Sequence, residues 1–344
     1  MFILLLVAGG GSFFTDDLTT SIERHQGDSD GQFIIQMEEE VEGELYYYYS
    51  GKKETFNVPE AGDYELIAVG GRGGWCNNNS GGYGAQASGT FHLSKGDKLH
   101  IAVGGKGGDC NSEVVDFLDA SSETMFTGAG GAGGTFIELK AGTSETRKLL
   151  LAGGGGGGAG KDYGGDDGED GQDGGFPWGG KNGKGGGLSC QDNDGSCGFF
   201  LIGGAGGGGY LGDGKSRCGT FPSCPNDKDD FNPIRPIQER EQCKQDKENL
   251  LAEGGKSGSE GGNTQVDASK TDGRCSYRYL NGGFGGFGGG GEGGIFVGGQ
   301  YLKIRTDTGE VTSHTEKYEH GGGGGGGGYG GGGAGEFQGL GGGG

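Results

Sequence analysis

The chain has 344 residues, of which 94 are glycine, 6 proline and 8 cysteine, and only 30% are hydrophobic. Glycine at this share, against a usual ~7%, excludes an ordinary globular core, and the scarcity of proline with no strict Gly-X-Y period excludes collagen. A net charge of −21 repels phosphate backbones, and with no Arg–Gly or aromatic–basic interleaving it excludes nucleic-acid binding.

Residues 1–31 form an N-terminal segment. Its apolar run, Phe2–Ala8, has no Lys or Arg ahead of it and passes into Gly9–Gly11, which fits either a weak signal peptide or a strand. A glycine-rich domain, 32–344, follows. Its first candidate strands are Gln32–Met37, Glu44–Tyr49 and Thr55–Val58, rich in β-branched and aromatic residues and separated by acidic turns. Pro59 and Gly62 punctuate the chain before a strand at Tyr64–Val69. Gly89–Leu93 and Lys98–Val103, joined by Ser94–Asp97, read as a β-hairpin, and Thr135–Lys140 and Arg147–Ala152 repeat that arrangement across Ala141–Glu145. Residues 217–280 read as a polar surface insertion, with sparse glycine, dense charge and a cluster of Pro222, Pro225, Pro233 and Pro236. Within it, Ile237–Glu253 has helix-forming composition without an apolar stripe and ends at Gly254-Gly255, which predicts an exposed helix. No stretch approaches the ~20 apolar residues of a membrane span.

Most predicted strands run straight into glycines. Tyr64–Val69 leads into Gly70-Gly71-Arg72-Gly73-Gly74, Lys98–Val103 into Gly104-Gly105-Lys106-Gly107-Gly108, and Arg147–Ala152 into Gly153–Gly158. Phe199–Ile202 and Ile295–Val297 do the same. Low-complexity disorder does not couple β-rich runs to glycine runs in this way. An extended helix with three residues per turn points its N–H and C=O groups outward, and only residues without a Cβ let such helices approach closely enough to bond laterally. The expected fold is therefore mainly β, almost without α-helix, with a bundle of polyglycine II helices inserted between strands and satisfying its backbone groups from helix to helix.

The cysteines, Cys76, Cys110, Cys190, Cys197, Cys218, Cys224, Cys243 and Cys275, lie in polar stretches, which favours disulfides in an oxidising compartment. Cys190 with Cys197 and Cys218 with Cys224 are local candidates among many pairings. No Cys-x-x-Cys and no clustered histidine supplies zinc-ligand spacing. Asn78-Asn79-Ser80 is an N-glycosylation acceptor at Asn78. Gly209–Ser216 matches a phosphate-binding loop by letter, yet Cys218, Gly219 and Pro222 follow where that loop needs a helix. The acidic stretch Asp166–Asp173 lacks the spacing of known calcium loops and reads as a solvated loop. No Ser or Cys sits in a strand–turn–helix elbow, and none of His92, His100, His314 and His320 has a carboxylate partner marked by the sequence. Kinase motifs are missing. The chain reads as a non-enzyme with no cofactor or metal.

Several phrases together resemble a known family. These are Val58-Pro59 with Gly62-Asp63-Tyr64, Gly89-Thr90-Phe91-His92-Leu93 with Gly96-Asp97-Lys98-Leu99, Gly130–Phe136, Leu149–Gly158 and Gly282–Gly288. Over about residues 55–300 they are similar, in order, to the glycine-rich ectodomain region of the anaplastic lymphoma kinase and leukocyte tyrosine kinase receptor family. The resemblance implies a tumour-necrosis-factor-like β-sandwich carrying a hexagonal polyglycine bundle, located outside the cell or at its surface. It also implies binding of a protein ligand or another cell-surface protein, with dimerisation on ligand binding. The sequence departs from the family in showing no growth-factor-like module, membrane span or kinase, and no ligand-contacting residue carries over. The expected function is an extracellular, non-catalytic recognition module. The alternatives are a secreted structural or adhesive glycine-rich protein and a nucleotide-binding protein acting through Gly209–Ser216.

Overall fold

The structure, a computed structural model, describes residues 2–7, 40–41, 44–116, 122–142, 146–188, 203–220, 235–236, 250–257, 261–262, 270–271, 275–280, 282–294, 296–304, 311–317, 321–334 and 338–344. Among these residues there is no helix, and the fold is mainly β. The strands of the first half are β1 (Phe2–Val7), β2 (Glu40–Val41), β3 (Glu44–Tyr48), β4 (Lys53–Asn57), β5 (Gly62–Val69), β6 (Gln86–Leu93), β7 (Lys98–Ala102), β8 (Ser112–Asp116), β9 (Ser122–Phe126), β10 (Thr135–Lys140) and β11 (Arg147–Gly153). Those of the second half are β12 (Arg217–Thr220), β13 (Arg235–Pro236), β14 (Leu250–Ala252), β15 (Lys270–Thr271), β16 (Cys275–Leu280), β17 (Phe296–Ile304) and β18 (Val311–Lys317).

Two sheets dominate the first half, in the orders β2-β3-β1-β5-β6 and β11-β10-β7-β4. In the first, β1 lies between β3 and β5 and is parallel to both, and the second is antiparallel throughout. Alternation along β5 turns Tyr64, Leu66 and Ala68 to one side, and β7 does the same with Leu99 and Ile101. These side chains meet Leu93 and Ile137 in one core to which both sheets contribute. Burying an aliphatic side chain of this kind is worth about 1.5–3 kcal/mol, so this core is the conventional anchor of the molecule.

Register settles which pairings form. Thr135–Lys140 and Arg147–Gly153 make the expected hairpin, from Thr135 opposite Gly153 to Lys140 opposite Arg147. The other expected hairpin does not form. β6 pairs with β5 and β7 pairs with β10 and β4, so Ser94–Asp97 carries the chain from one sheet to the other. Leu93 and Leu99 are both buried in the shared core, which a strand crossing between sheets permits. The turn itself is pinned: Gly96, at φ 88°, donates to the carbonyl of Val58, and Val58 donates to that of Asp97. The expected helix over Ile237–Glu253 is also corrected at its end. Leu250–Ala252 is strand β14, paired with β12, and Ala252 is fully buried; residues 237–249 lie outside the described residues. Leu250-Leu251-Ala252 before Gly254-Gly255 is the same strand-into-glycine phrase as elsewhere, and pairing with β12 overrides its local helix preference. Gln32–Met37 and Phe199–Ile202 lie outside the described residues as well.

The glycine segments bond sideways with a three-residue alternation. Residues 128–134 show the pattern in full. Gly128, Gly131 and Gly134 donate to Gly294, Gly291 and Gly288; Ala129 and Ala132 to Ala159 and Gly156; Gly130 and Gly133 to Gly108 and Gly105. The carbonyls of the same segment accept from Gly283 and Gly286, from Gly74 and Gly71, and from Gly324 and Gly327. Donation to three neighbouring segments and acceptance from three others is the arrangement of a three-residue-per-turn helix in hexagonal packing. A methyl on Gly133 would overlap the carbonyl of Phe287, which is why the position holds glycine. Aromatic side chains join bundle to sheet: Tyr210, Tyr329 and Phe287 pack against the Ala102, Phe136 and Ala152 cluster, and Tyr49 meets Phe287 at 6.2 Å.

Candidate recognition face

The glycine segments 128–134, 153–160 and 321–328 carry only Gly and Ala, whereas those at one side of the bundle read Gly-Gly-Xaa: Gly70-Gly71-Arg72-Gly73-Gly74-Trp75, Gly104-Gly105-Lys106-Gly107-Gly108-Asp109, and Gly282-Gly283-Phe284-Gly285-Gly286-Phe287. With three residues per turn, every Xaa of one segment points to the same side. The glycines of these segments are buried, while Trp75 and Phe284 are 44% and 56% exposed. A three-residue glycine period thus builds a packed inner face and a decorated outer one.

These segments stand side by side. Gly107 and Cys110 donate to the carbonyls of Arg72 and Trp75, Gly105 and Gly108 to those of Phe287 and Phe284, and Gly70 and Gly73 to those of Ala85 and Gly82. Tyr83, Arg72 with Trp75, Lys106 with Asp109, and Phe284 therefore succeed one another across one surface. The Arg72 guanidinium lies 4.2 Å from the Tyr83 ring and 4.8 Å from the Trp75 ring. Asp109 Oδ1 accepts from the Trp75 amide and from Lys106 Nζ, both at 2.8 Å, and Asp167 Oδ1 accepts from the Tyr83 amide at 2.7 Å.

A disulfide between Cys76 and Cys110 closes the edge of this face. The sequence carried a signal for it that cysteine spacing alone does not reveal. Each cysteine ends a Gly-Gly-Xaa-Gly-Gly-Xaa run, and the two runs bond in parallel register, so equivalent positions arrive side by side. Backbone positions of Cys218 and Cys275 fall on β12 and β16, and Cys190, Cys197, Cys224 and Cys243 lie outside the described residues, so neither expected local pairing falls wholly within them. Asn78 is exposed at the tip of a tight turn closed by reciprocal backbone bonds between Cys76 and Asn79.

Other candidate residues are dispersed. Gly209–Ser216 runs into strand β12 instead of a helix, and the amides of Gly209, Tyr210, Leu211, Gly214 and Lys215 already donate to backbone carbonyls. A phosphate there would meet no helix N-terminus. In the acidic stretch, Asp166 accepts from Gln338 Nε2 and burial pushes its carboxyl up. Among the described residues no cluster of His, Cys, Asp and Glu has metal-site geometry. His92, expected to lack a carboxylate partner, pairs with Asp63 at 2.8 Å, because the β5–β6 register sets them opposite each other. Both side chains are more than two-thirds exposed, so the pair is a solvated cross-strand contact. His100 accepts or donates at Nδ1 to Thr55 Oγ1, and burial followed by the nearby Arg147 lowers its pKa. His314 lies on β18, and His320 lies outside the described residues. Among the described residues, two charges are buried within the bundle: Arg217 donates through Nε to the Gly204 carbonyl, and Glu292 accepts from the Glu253 amide.

No described helix is long and apolar enough to cross a membrane. Neither the protein-family models nor the curated proteins compared with the chain give a match.

Proposed function

We propose that the chain is a non-catalytic recognition module, acting outside the cell or at its surface and binding a protein ligand or another cell-surface protein through the Gly-Gly-Xaa face. The observation that carries this reading is the row Tyr83, Arg72, Trp75 and Phe284, exposed or half-buried on backbone that is bonded on its other sides. Aromatic residues and arginine dominate binding energetics, and contiguous exposed apolar groups on a rigid support mark interaction surfaces. A disulfide and an exposed Asn78 acceptor suit the proposed compartment. The likeness to a tumour-necrosis-factor-like sandwich draws its support from two sheets that share one core.

The purified chain, immobilised and screened against a panel of purified ectodomains and secreted proteins, tests the proposal. A saturable partner that the Trp75→Ala/Phe284→Ala variant no longer binds is the expected result. A panel with no saturable partner, or partners equally bound by the variant, would favour the structural or adhesive alternative.

A further inference from the structure

The guanidinium of Arg72 is held from both sides and left open at its end. Its Nε points to the carbonyl of Gly81 at 3.4 Å, and its planar group lies between the rings of Trp75 and Tyr83. Among the described residues no carboxylate is in ion-pair range of it, although the chain has 48 acidic residues against 27 basic ones. The two carboxylates that bond to the backbone of this row are otherwise committed. Asp109 fixes the Trp75 amide and Asp167 fixes the Tyr83 amide, so each carboxylate positions the backbone of one ring. Lys106 is in turn neutralised by Asp109. Among the described residues of this row, Arg72 is the one cation without an anionic partner.

From this geometry we infer that Arg72 is the specificity-determining residue of the face and receives an acidic side chain, Asp or Glu, of the protein partner. The inference rests on the reading of this surface as a recognition face. A guanidinium offers two parallel N–H donors that match a carboxylate, and stacking between rings removes the rotamer freedom that an arginine would otherwise lose on binding. The rings also exclude water from both faces of the incoming ion pair, which strengthens it relative to an exposed pair. Charge adds to the discrimination: with a chain at −21, most of the surface repels an acidic partner, and the Arg72 guanidinium draws its carboxylate in.

The test uses the full chain with Trp178→Phe, which leaves Trp75 as the only tryptophan. Its fluorescence is followed while N-acetyl-glutamate N-methylamide is added at millimolar concentrations and constant ionic strength. The glutamine analogue and inorganic sulfate serve as comparison probes. A saturable change is expected for the glutamate probe, weakened at least about tenfold for the glutamine probe, lost in Arg72→Gln and partly kept in Arg72→Lys. Amide exchange at Gly73, whose N–H bonds Gly82, checks that the variants keep the bundle intact. Should Arg72→Gln not fold, the Arg72 Nε–H resonance of the parent chain replaces it and is expected to shift with the glutamate probe only. Equal responses to the glutamate and glutamine probes, or an unchanged response in Arg72→Gln, overturn the inference. Tighter Arg72-dependent binding of sulfate than of the glutamate probe overturns it too, in favour of a sulfated partner. In any of these cases, loss of partner binding in Trp75→Ala/Phe284→Ala would leave the face itself standing.

Discussion

The amide of Ala132 donates to the carbonyl of Gly156 at 2.9 Å. Gly155 donates to Gly327 at 2.6 Å, and Gly327 returns a bond to the carbonyl of Ala132 at 2.7 Å, which closes a triangle of three segments in the centre of the bundle. No side chain larger than a methyl is present at these contacts. Ordering each glycine costs about 1–2 kcal/mol or more, and a backbone hydrogen bond contributes about 0.5–1.5 kcal/mol net. The bundle therefore depends on dense mutual bonding and on its anchors to the sheets.

Crowding makes a first prediction. Gly133→Ala places a methyl against the Phe287 carbonyl, whereas a methyl at Gly171 meets nothing within 4 Å, and neither glycine has a positive φ. Gly133→Ala is expected to destabilise the protein by about 3 kcal/mol or more through overpacking, and Gly171→Ala to be neutral or stabilising by about 0.5 kcal/mol. Urea denaturation of both variants distinguishes the two outcomes; equal midpoints would mean that the close segment packing does not exist in solution.

The Cys76–Cys110 bond links positions 34 apart in sequence. Cys76→Ser/Cys110→Ser is expected to cost about 2–4 kcal/mol. In hydrogen exchange of this variant, the backbone amides at positions 107 and 110 should lose protection first, while Ala132 and Gly327 stay slow, since the latter lie in the central triangle. Uniform loss of protection would show that the bundle opens as one unit.

Tyr210 donates to Glu138 Oε1 at 2.9 Å, and its hydroxyl is pushed up to about 12 by burial first and by the Glu138 hydrogen bond and charge after it. The folded chain keeps this phenol neutral to higher pH than an unfolded chain does. Its stabilising contribution is therefore complete below about pH 10 and is lost as the pH rises towards about 12. Tyr210→Phe should lower stability by about 1 kcal/mol at neutral pH and flatten the alkaline decline, as read from denaturation midpoints between these pH values. An identical alkaline slope in the variant would remove Tyr210 as its source.

Asn78 stands exposed at a turn tip and begins an Asn-x-Ser acceptor. Secreted from a eukaryotic host, the chain is expected to carry one glycan there. A mobility shift on glycosidase treatment that Asn78→Gln abolishes is the supporting result; the same shift in the variant would place the glycan elsewhere.

Strand runs and their passage into glycine were legible in the sequence because both are local. Alternating apolar residues at Tyr64, Leu66 and Ala68 mark a half-buried strand, and the absence of Cβ atoms after Val69 or Val103 marks a segment that can bond sideways. Less was legible of the face. Arg72, Trp75 and Phe284 stand in plain Gly-Gly-Xaa phrases, yet two of those phrases lie about two hundred residues apart, and nothing local says that they become neighbours. The Ser94–Asp97 connection shows the same limit, since its turn residues suit a hairpin and a crossover equally well.

Local chemistry therefore decided that this chain is built of strands and laterally bonded glycine helices, and which residues of each helix turn outward. Tertiary structure decided which helices stand together, which sheet each strand joins, that Cys76 meets Cys110, and that Arg72 lies between Trp75 and Tyr83. The reason is physical: a glycine backbone offers identical donors and acceptors at every residue, so it carries no partner code of its own. The side chains and sheets at the ends of each segment select its neighbours.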